Sequence, residues 1–410
     1  MNSRKLIVTA SVICLALIIA AIPLLGSGCA GNSPSNKVKV GLSICYTGKA
    51  AEKGRPMGDG KLDCMKYINE ELGGVAGNQI EVIWRDNEYD ASKAATIVNE
   101  LMSKDCLLFT TCSSAMMTAS MEIANRAEFP GFAVFSSPNC TNPPKHIYAQ
   151  LPDYGDDWAA FARYYLDNIW QGEGRPKMAL HLLNNTTGSG AGTAANLLAD
   201  EMGIDIVATE EHTATTVSEI ESLTRIKALN PDIMYISSTP QPTSILVKNA
   251  VELGIYPDMV IACGHASYTS ALVELAGADS EGVYGVYPTV NWGDDVPAMA
   301  KATEYCQEYH PEDYGNNDYI ICWAEGLIVA EILRLAIDNV GVDNLTPQAV
   351  EEYGFKKLNN FDVGGLHGPV TYTPGDNRLS KSVRIFQVQN GEIVAITGWV
   401  EAPLIPYKFD

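Results

Sequence analysis

Small hydroxyl side chains cluster where a strand-like run gives way to a helical pattern. The apolar run at 106–109 is followed by Thr110, Thr111, Cys112, Ser113 and Ser114, and then by residues with helical spacing. Backbone N–H groups at the start of a helix, together with the positive end of its dipole, favour an anion. Small hydroxyls can hydrogen-bond a ligand carboxylate there without blocking it, so the pattern indicates an anion site. Ordinary N-capping by Ser113 or Ser114 is the alternative interpretation of the same residues.

The stretches around this cluster alternate short apolar runs with longer amphipathic ones, which is typical of parallel sheets flanked by helices. The strand-like runs form two series, at 38–44, 80–86, 106–111 and 131–136, and at 177–183, 204–210, 231–237, 258–263 and 282–287. Helical spacing separates them, as in Met65, Ile68 and Leu72. The predicted fold class is therefore α/β with two Rossmann-like lobes, a fold in which ligands bind at the carboxyl ends of the strands.

The end of the chain follows a different pattern. Two long helical patterns lie at 297–310 and 318–341, and β-like pieces follow at 369–373, 383–389 and 392–400. The turn sequences TPGDN and NGE between the β-like pieces predict hairpins.

Composition and missing motifs exclude several classes of function. A formal net charge of −21 over 410 residues repels phosphates, so no nucleic-acid partner is expected. The ten cysteines include no CxxC pair or Cys/His cluster, which disfavours a metal site and leaves both buried thiols and disulfides open. The glycine-rich stretch at 184–195 has Thr193 where a dinucleotide fingerprint needs its third glycine, and no hydrolase or P-loop motif occurs. We therefore expect neither a cofactor nor catalysis.

The N-terminus has the pattern of an export signal. Two basic residues precede an apolar run at 6–25, and small residues then lead to Cys29. This arrangement resembles a bacterial lipoprotein signal, which is cleaved before a cysteine that carries a diacylglycerol. We predict a signal peptide at 1–28 and a lipidated, flexible tether at 29–36. An uncut helical anchor is the alternative, and either one holds the chain outside the cytoplasm on a membrane, at the cell surface or in the periplasm.

Several motifs resemble, in type and order, those of the leucine/isoleucine/valine-binding type of periplasmic binding protein. In the opening stretch they are Thr47-Gly48, Gly54, Gly73-Gly74, Asp86 and Ala91–Ala95. Further along, the segments TCSSAMMTAS, FSSPNCTNPP, LNPDIMYIS, NAVELGI and SEGVYGVYP are similar to hallmark segments of that family. The resemblance extends from residue 37 to about residue 400.

The resemblance implies a type 1 periplasmic binding fold, with two lobes joined by a three-strand hinge. Lobe 1 is expected to comprise 37–152 and 285–380, and lobe 2 to comprise 153–284 and 381–410. The crossovers between the lobes are expected near Leu151–Tyr154, Tyr284–Pro288 and Lys381–Phe386.

The resemblance also implies a function. In this family the two lobes close on a small ligand by hinge motion, and a membrane permease then receives the ligand. The chain is thus expected to be a monomeric extracytoplasmic lipoprotein that captures an amino acid or a related small carboxylate and delivers it to an ABC importer. A ligand-binding sensor that reports to a membrane receptor is the alternative.

The ligand contacts of the family fall on residues of both lobes. Its carboxylate contacts correspond to Ser113 and Thr141, and the backbone carbonyl of Cys140 corresponds to an acceptor for an α-ammonium proton. From lobe 2, the strand-end loops at 237–241 and 263–267 are expected to face the cleft. The full set of expected ligand contacts is Lys53, Cys112, Ser113, Ser114, Cys140, Thr141, Tyr154, Thr239 and His265.

Two of these residues depart from the pattern of amino-acid binders. His265 lies near the position of an acidic partner for the ammonium group, and Lys53 replaces an aromatic or apolar residue before Gly54. Both changes add positive character, so a dicarboxylate, an acidic amino acid or an aromatic acid fits better than leucine. If Lys53 instead points to solvent and His265 caps a turn, the site can take branched-chain amino acids.

Replacing Cys29 tests the predicted anchor. Cys29→Ala should abolish the incorporation of labelled fatty acid, because alanine has no sulfur to acylate. Cys14→Ala is the control and should keep the label, because Cys14 leaves with the signal peptide. Labelled fatty acid on the Cys29→Ala protein, detected after gel electrophoresis, would contradict the lipoprotein prediction.

Overall fold

The computed structural model describes residues 37–403 and 405–407. The predicted signal peptide, the tether and Cys29 lie outside the described residues. None of the described helices is both long enough and apolar enough to cross a membrane.

Parallel strands form the first sheet. They are β1 (Lys37–Ile44), β2 (Gln79–Asp86), β3 (Phe109–Thr111), β4 (Gly131–Ala133) and β5 (Ile147–Ala149). Their order across the sheet is β2-β1-β3-β4-β5. Leu42 of β1 pairs with Trp84 of β2 on one side and with Thr110 of β3 on the other. Because these strands are parallel, their carboxyl ends lie at one edge of the sheet.

A larger, mixed sheet follows. Its strands are β6 (Lys177–Leu183), β7 (Asp205–His212), β8 (Ile233–Ser237), β9 (Val260–Cys263), β10 (Tyr284–Tyr287), β11 (Ser382–Gln389), β12 (Glu392–Ala395) and β13 (Val400–Glu401). The order is β12-β11-β10-β9-β8-β6-β7, and β13 pairs with β11. β6 to β10 are parallel, whereas β11 runs antiparallel to both β10 and β12. Asn390 and Gly391 have positive φ angles of 55° and 77° in the β11–β12 hairpin, as a type I′ turn requires.

Helices connect most of the strands. They are α1 (Ala51–Glu70), α2 (Ala94–Ser103), α3 (Ser114–Arg126), α4 (Pro138–Thr141), α5 (Tyr154–Tyr164), α6 (Thr186–Met202), α7 (Ile220–Ala228), α8 (Pro240–Glu252), α9 (Ser270–Ala276), α10 (Met299–Tyr309), α11 (Asn317–Val340) and α12 (Pro347–Tyr353).

The sheets and helices are arranged in two lobes. The first lobe comprises β1–β5 with α1–α4 and α10–α12, and the second comprises β6–β13 with α5–α9. Within the described residues the chain crosses between the lobes three times, after β5, after β10 and before β11. Each lobe buries apolar side chains between its sheet and helices. In the first lobe, for example, Val40 of β1 and Ile328 of α11 belong to one core.

The α/β fold class and the strands of both predicted series are confirmed, but two local predictions are wrong. Leu72 is 57% exposed and lies beyond the end of α1, because Gly73 and Gly74 with positive φ turn the chain out of the helix. The segment 369–373 is not a strand. Val370 pairs only with Phe361, and the next residues bond to other segments, so no neighbouring strand runs along this one.

The described cysteines are all free and buried, which resolves the choice between thiols and disulfides for these positions. They are Cys45, Cys64, Cys106, Cys112, Cys140, Cys263, Cys306 and Cys322. Among the described residues, no group of three or more His, Cys, Asp or Glu side chains is arranged to hold a metal ion.

The packing of α1 along α11 joins the two chain segments that make up the first lobe. The Lys61 ammonium lies 2.5 Å from Oε2 of Glu325 and donates to Oγ1 of Thr110 at 2.8 Å. Both members of this ion pair are about 1% exposed. A Cβ on Gly60 would lie 2.2 Å from the carbonyl oxygen of Tyr319, so only glycine lets the helices approach this closely.

A matched pair of glycine substitutions tests this close approach. Gly60→Ala should destabilise the protein by about 1–3 kcal/mol, because the added Cβ collides with backbone and α1 must move. Gly192→Ala in α6 is the control. Its Cβ would meet only the flexible Leu182 side chain, at 3.0 Å, and alanine is favoured over glycine in a helix by about 0.5–1 kcal/mol. Urea unfolding that gives the two variants equal stability would contradict the packing described here.

Candidate functional site

A small cavity lies between the two lobes, at the carboxyl ends of their parallel strands. Its volume is about 40 Å³, well below that of a typical small-molecule site, so a ligand enters only when the two walls move apart. First-lobe residues line one side, namely Cys45, Ala50, Lys53, Gly54, Met57, Tyr89, Cys112, Ser113, Ser114 and Phe135. Second-lobe residues line the other, namely Tyr154, Thr187, Thr239 and Ala266.

The start of α3 supplies hydroxyl groups to this cavity. Ser113 is the N-cap of α3, and its Oγ accepts a hydrogen bond from the backbone N–H of Met116 at 3.3 Å. The capping interpretation of Ser113 is therefore confirmed. Ser114 has a different role, because its Oγ accepts from the Tyr154 hydroxyl at 3.1 Å and lies 3.1 Å from Oγ1 of Thr186. Ser114 thus connects the two lobes at the edge of the cavity.

A second connection between the lobes lies beside the first. Asn185, which caps α6, donates from Nδ2 to the Tyr89 hydroxyl at 3.0 Å. Burial raises the pKa of Tyr89 to about 12, so this phenol stays protonated at neutral pH. The same hydroxyl can therefore donate in turn to a group in the cavity.

Among the described residues that line the cavity, Lys53 has the one charged side chain. It is buried, so it does not point to solvent. Its Nζ donates to Oδ1 of Asp318 at 2.5 Å and lies 4.7 Å from the centre of the Phe135 ring. The Tyr287 hydroxyl donates to the same carboxylate oxygen at 2.9 Å. The sequence predicted an uncompensated positive charge at Lys53. The structure corrects this prediction, because the carboxylate of Asp318 neutralises much of the field of Lys53.

Two thiols, Cys45 and Cys112, line the first-lobe wall. A hydrogen bond with Cys322 lowers the pKa of the Cys112 thiol, and the Lys61 ammonium assists, although burial opposes the shift. Burial raises the pKa of Cys45 instead. The two cavity thiols therefore differ in acidity although they belong to the same wall.

The structure brings six of the nine expected ligand contacts to the cavity. They are Lys53, Cys112, Ser113, Ser114, Tyr154 and Thr239. The other three, His265, Cys140 and Thr141, lie elsewhere. His265 is fully buried behind the wall, with its ring 4.5 Å from that of Phe135 and its Nδ1 2.7 Å from Oδ2 of Asp157. It supports Phe135 across the lobe boundary and does not line the cavity.

Thr141 and Cys140 occupy different surroundings. The Cys140 thiol lies 3.3 Å from Oγ1 of Thr118, and Thr141 lines a separate cavity whose main charged group is Arg378. The carboxylates of Asp153 and Asp376 line that cavity together with Arg378. Arg378 donates to both carboxylate oxygens of Asp156, at 2.7 and 2.6 Å. Burial and the neighbouring Asp156 raise the pKa of Asp153 in that cavity to about 8, in spite of Arg378.

The sequence did not point to Thr187, which lines the cavity, or to Asp318, which pairs with Lys53. Thr187 follows β6 in the run NNTTG, which has the same form as the TTCSS run after β3: small polar residues between a strand and a helix. Because that run was compared with a dinucleotide fingerprint, its likeness to the run after β3 was overlooked. Asp318 carries no local signal, because it lies 265 residues from Lys53 and only folding brings the two together.

Comparison with known proteins agrees with this architecture. Two α/β lobes with a cavity between their strand ends are the type 1 periplasmic binding fold. A family model described as "Periplasmic binding protein" matches residues 37–392, and the chain belongs to that family. None of the curated proteins searched matches the chain.

Solved structures with this fold include transport proteins for different ligands. A branched-chain amino acid ABC transporter protein from Thermus thermophilus with bound valine has a TM-score of 0.80 and 19% identity, over 90% of this chain and 96% of its own. A fatty acid ABC transporter substrate-binding protein from Thermomonospora curvata has a TM-score of 0.79 and 20% identity, over 90% and 93%. An isoleucine complex of a branched-chain amino acid transporter substrate-binding protein from Streptococcus pneumoniae has a TM-score of 0.74 and 18% identity, over 89% and 100%. At these identities the likeness concerns the fold.

Proposed function

We propose that this protein is the extracytoplasmic, lipid-anchored ligand-binding component of an ABC importer. It captures an amino acid or a related small carboxylate between its lobes and presents the closed, loaded form to a membrane permease. The observation that carries this proposal is the cavity between the lobes, to which both sheets contribute strand-end loops.

The placement of polar groups supports binding of a carboxylate. Ser113 and Ser114 lie at the start of α3, and Thr239 is the N-cap of α8 without a side-chain capping bond of its own. Their hydroxyls, and the positive ends of the helix dipoles, favour an anion. The similar proteins named for branched-chain amino acids and for fatty acids both take ligands with a carboxylate.

The contacts between the lobes support a capture mechanism. Ser114 to Thr186, Tyr89 to Asn185, and Phe135 to His265 all join the first lobe to the second around the cavity. Each of these contacts must separate when the lobes open. A ligand that touches both walls adds further contacts that hold the lobes closed. Release and reclosure would pivot on the three crossovers proposed near 151–154, 284–288 and 381–386.

A thermal-shift screen over amino acids and small organic acids tests the proposal. A true ligand at one hundred times its dissociation constant should stabilise the protein by about 2.7 kcal/mol. Ser113→Ala should weaken binding of that ligand by about tenfold to a hundredfold, because a hydrogen bond to a charged group is lost. Thr141→Ala, at the Arg378 cavity, is the control and should bind normally.

Two results would contradict the proposal. One is that no compound in the panel shifts the unfolding temperature of the full chain. The other is a ligand whose affinity falls in Thr141→Ala but not in Ser113→Ala, measured by titration calorimetry, since that would move the site to the Arg378 cavity.

A further inference from the structure

The charged side chains near the cavity differ from those that line it. Among the described residues, Lys53 is the charged side chain of the lining, and no Asp or Glu belongs to it. The carboxylate nearest to Lys53 is Asp318, which lies behind the wall and already accepts from Lys53 and from the Tyr287 hydroxyl at Oδ1. The remaining polar side chains of the lining are hydroxyls and thiols.

Helix dipoles give the cavity its positive character. α1, α3, α6 and α8 all begin at the cavity, since Ala50, Ser113 and Thr239 are N-caps and Thr187 lies in the first turn of α6. Each helix presents its positive end to a carboxylate bound there. α5 also begins at the cavity, but its own Asp153 and Asp156 form a capping box that satisfies its first turn.

An α-ammonium group has no matching partner in this lining. A buried cation needs a carboxylate or several well-placed acceptors, and without them its desolvation costs several kcal/mol. In this cavity the ammonium would meet four positive helix ends and a Lys53 charge that Asp318 offsets only in part. The two halves of an amino acid therefore differ sharply in fit, because the carboxylate is favoured and the ammonium is not.

The rest of the lining suits a small apolar body. Met57, Phe135, Ala50 and Ala266 provide hydrocarbon surface on both walls, and the Phe135 ring is held in place between Lys53 and His265. Because the cavity volume is only about 40 Å³, the walls must move apart for any ligand, and a small body requires the least movement.

We propose that the cavity selects small monocarboxylic acids with a branched or aromatic body and no amino group. This inference rests on the proposed function and narrows its ligand class. The carboxylate binds at the start of α3, the apolar body lies against Phe135 and Met57, and the positive helix ends, with the remaining charge of Lys53, disfavour an ammonium group.

Matched ligand pairs that differ only in the amino group test the inference. The pairs are leucine with 4-methylpentanoate, and phenylalanine with 3-phenylpropanoate. Titration calorimetry on the full chain, refolded to remove bound ligand, should show the acid of at least one pair binding at least about tenfold more tightly than its amino acid. An amino acid that binds as tightly as its acid, or more tightly, overturns the inference.

Asp318→Asn tests the electrostatic origin of the preference. The amide keeps an acceptor for Lys53 and Tyr287 but removes the charge that offsets Lys53, so the ratio of acid to amino-acid affinity should rise severalfold. Glu71→Gln is the control, because Glu71 pairs with the exposed Lys301 at 2.9 Å on the surface, and it should leave the ratio unchanged. A ratio that is unaltered in a folded Asp318→Asn protein counts against the inference.

Failure of this inference can be told apart from failure of the proposed function. Tight binding of leucine or phenylalanine without their acids overturns the ligand class while a small-molecule binding function stands. Binding of none of these four compounds also overturns the ligand class, and the broader panel of amino acids and organic acids then decides whether the protein binds small ligands at all.

Discussion

Helix α1 packs along α11, and the position of the cavity depends on that contact. α1 follows the first strand of the sheet, whereas α11 comes late in the chain, so their packing joins distant segments into one lobe. Gly60 and Gly326 allow the approach, because a Cβ on either would meet the opposite helix, at the Tyr319 carbonyl oxygen or at the Cys64 sulfur. The pairs Lys61–Glu325 and Lys53–Asp318 then fix the register. The desolvation cost of buried ion pairs offsets much of their attraction, but sliding α1 along α11 would leave four charges buried without partners.

Parallel strands impose the second constraint. Each strand that ends at the cavity is followed by a helix whose first N–H groups need acceptors, so small polar residues are required there for the fold itself. Ser113 caps α3 and also faces the cavity, whereas Ser114 bonds to Tyr154 of the second lobe. Capping and ligand binding are therefore not exclusive interpretations of these residues. A carboxylate would use donors that the helix starts already expose.

Much of this architecture is predictable from local sequence. Runs such as 38–44 and 177–183 are apolar and short, and they become β1 and β6 because both faces of a parallel sheet are buried. The run of hydroxyl residues around Ser113 lies at the cavity wall because it connects the carboxyl end of a strand to the start of a helix. The partners of Lys53 and His265 were not predictable, because Asp318 and Asp157 lie far away in sequence and their carboxylates have no local pattern. Thr141 was misplaced for a related reason, since its loop turns toward Arg378, 237 residues further along the chain.

A ligand that binds between the lobes, at the strand ends of both, should restrain both lobes together. Hydrogen–deuterium exchange of the full chain, with and without whichever of leucine or 4-methylpentanoate binds, measures this directly. Ligand bound between the lobes should slow exchange in both lobes at once, in the segments 112–117 at the start of α3 and 185–190 at the start of α6. Protection confined to one lobe, or centred on the loops around Thr141 and Arg378, would contradict binding between the lobes.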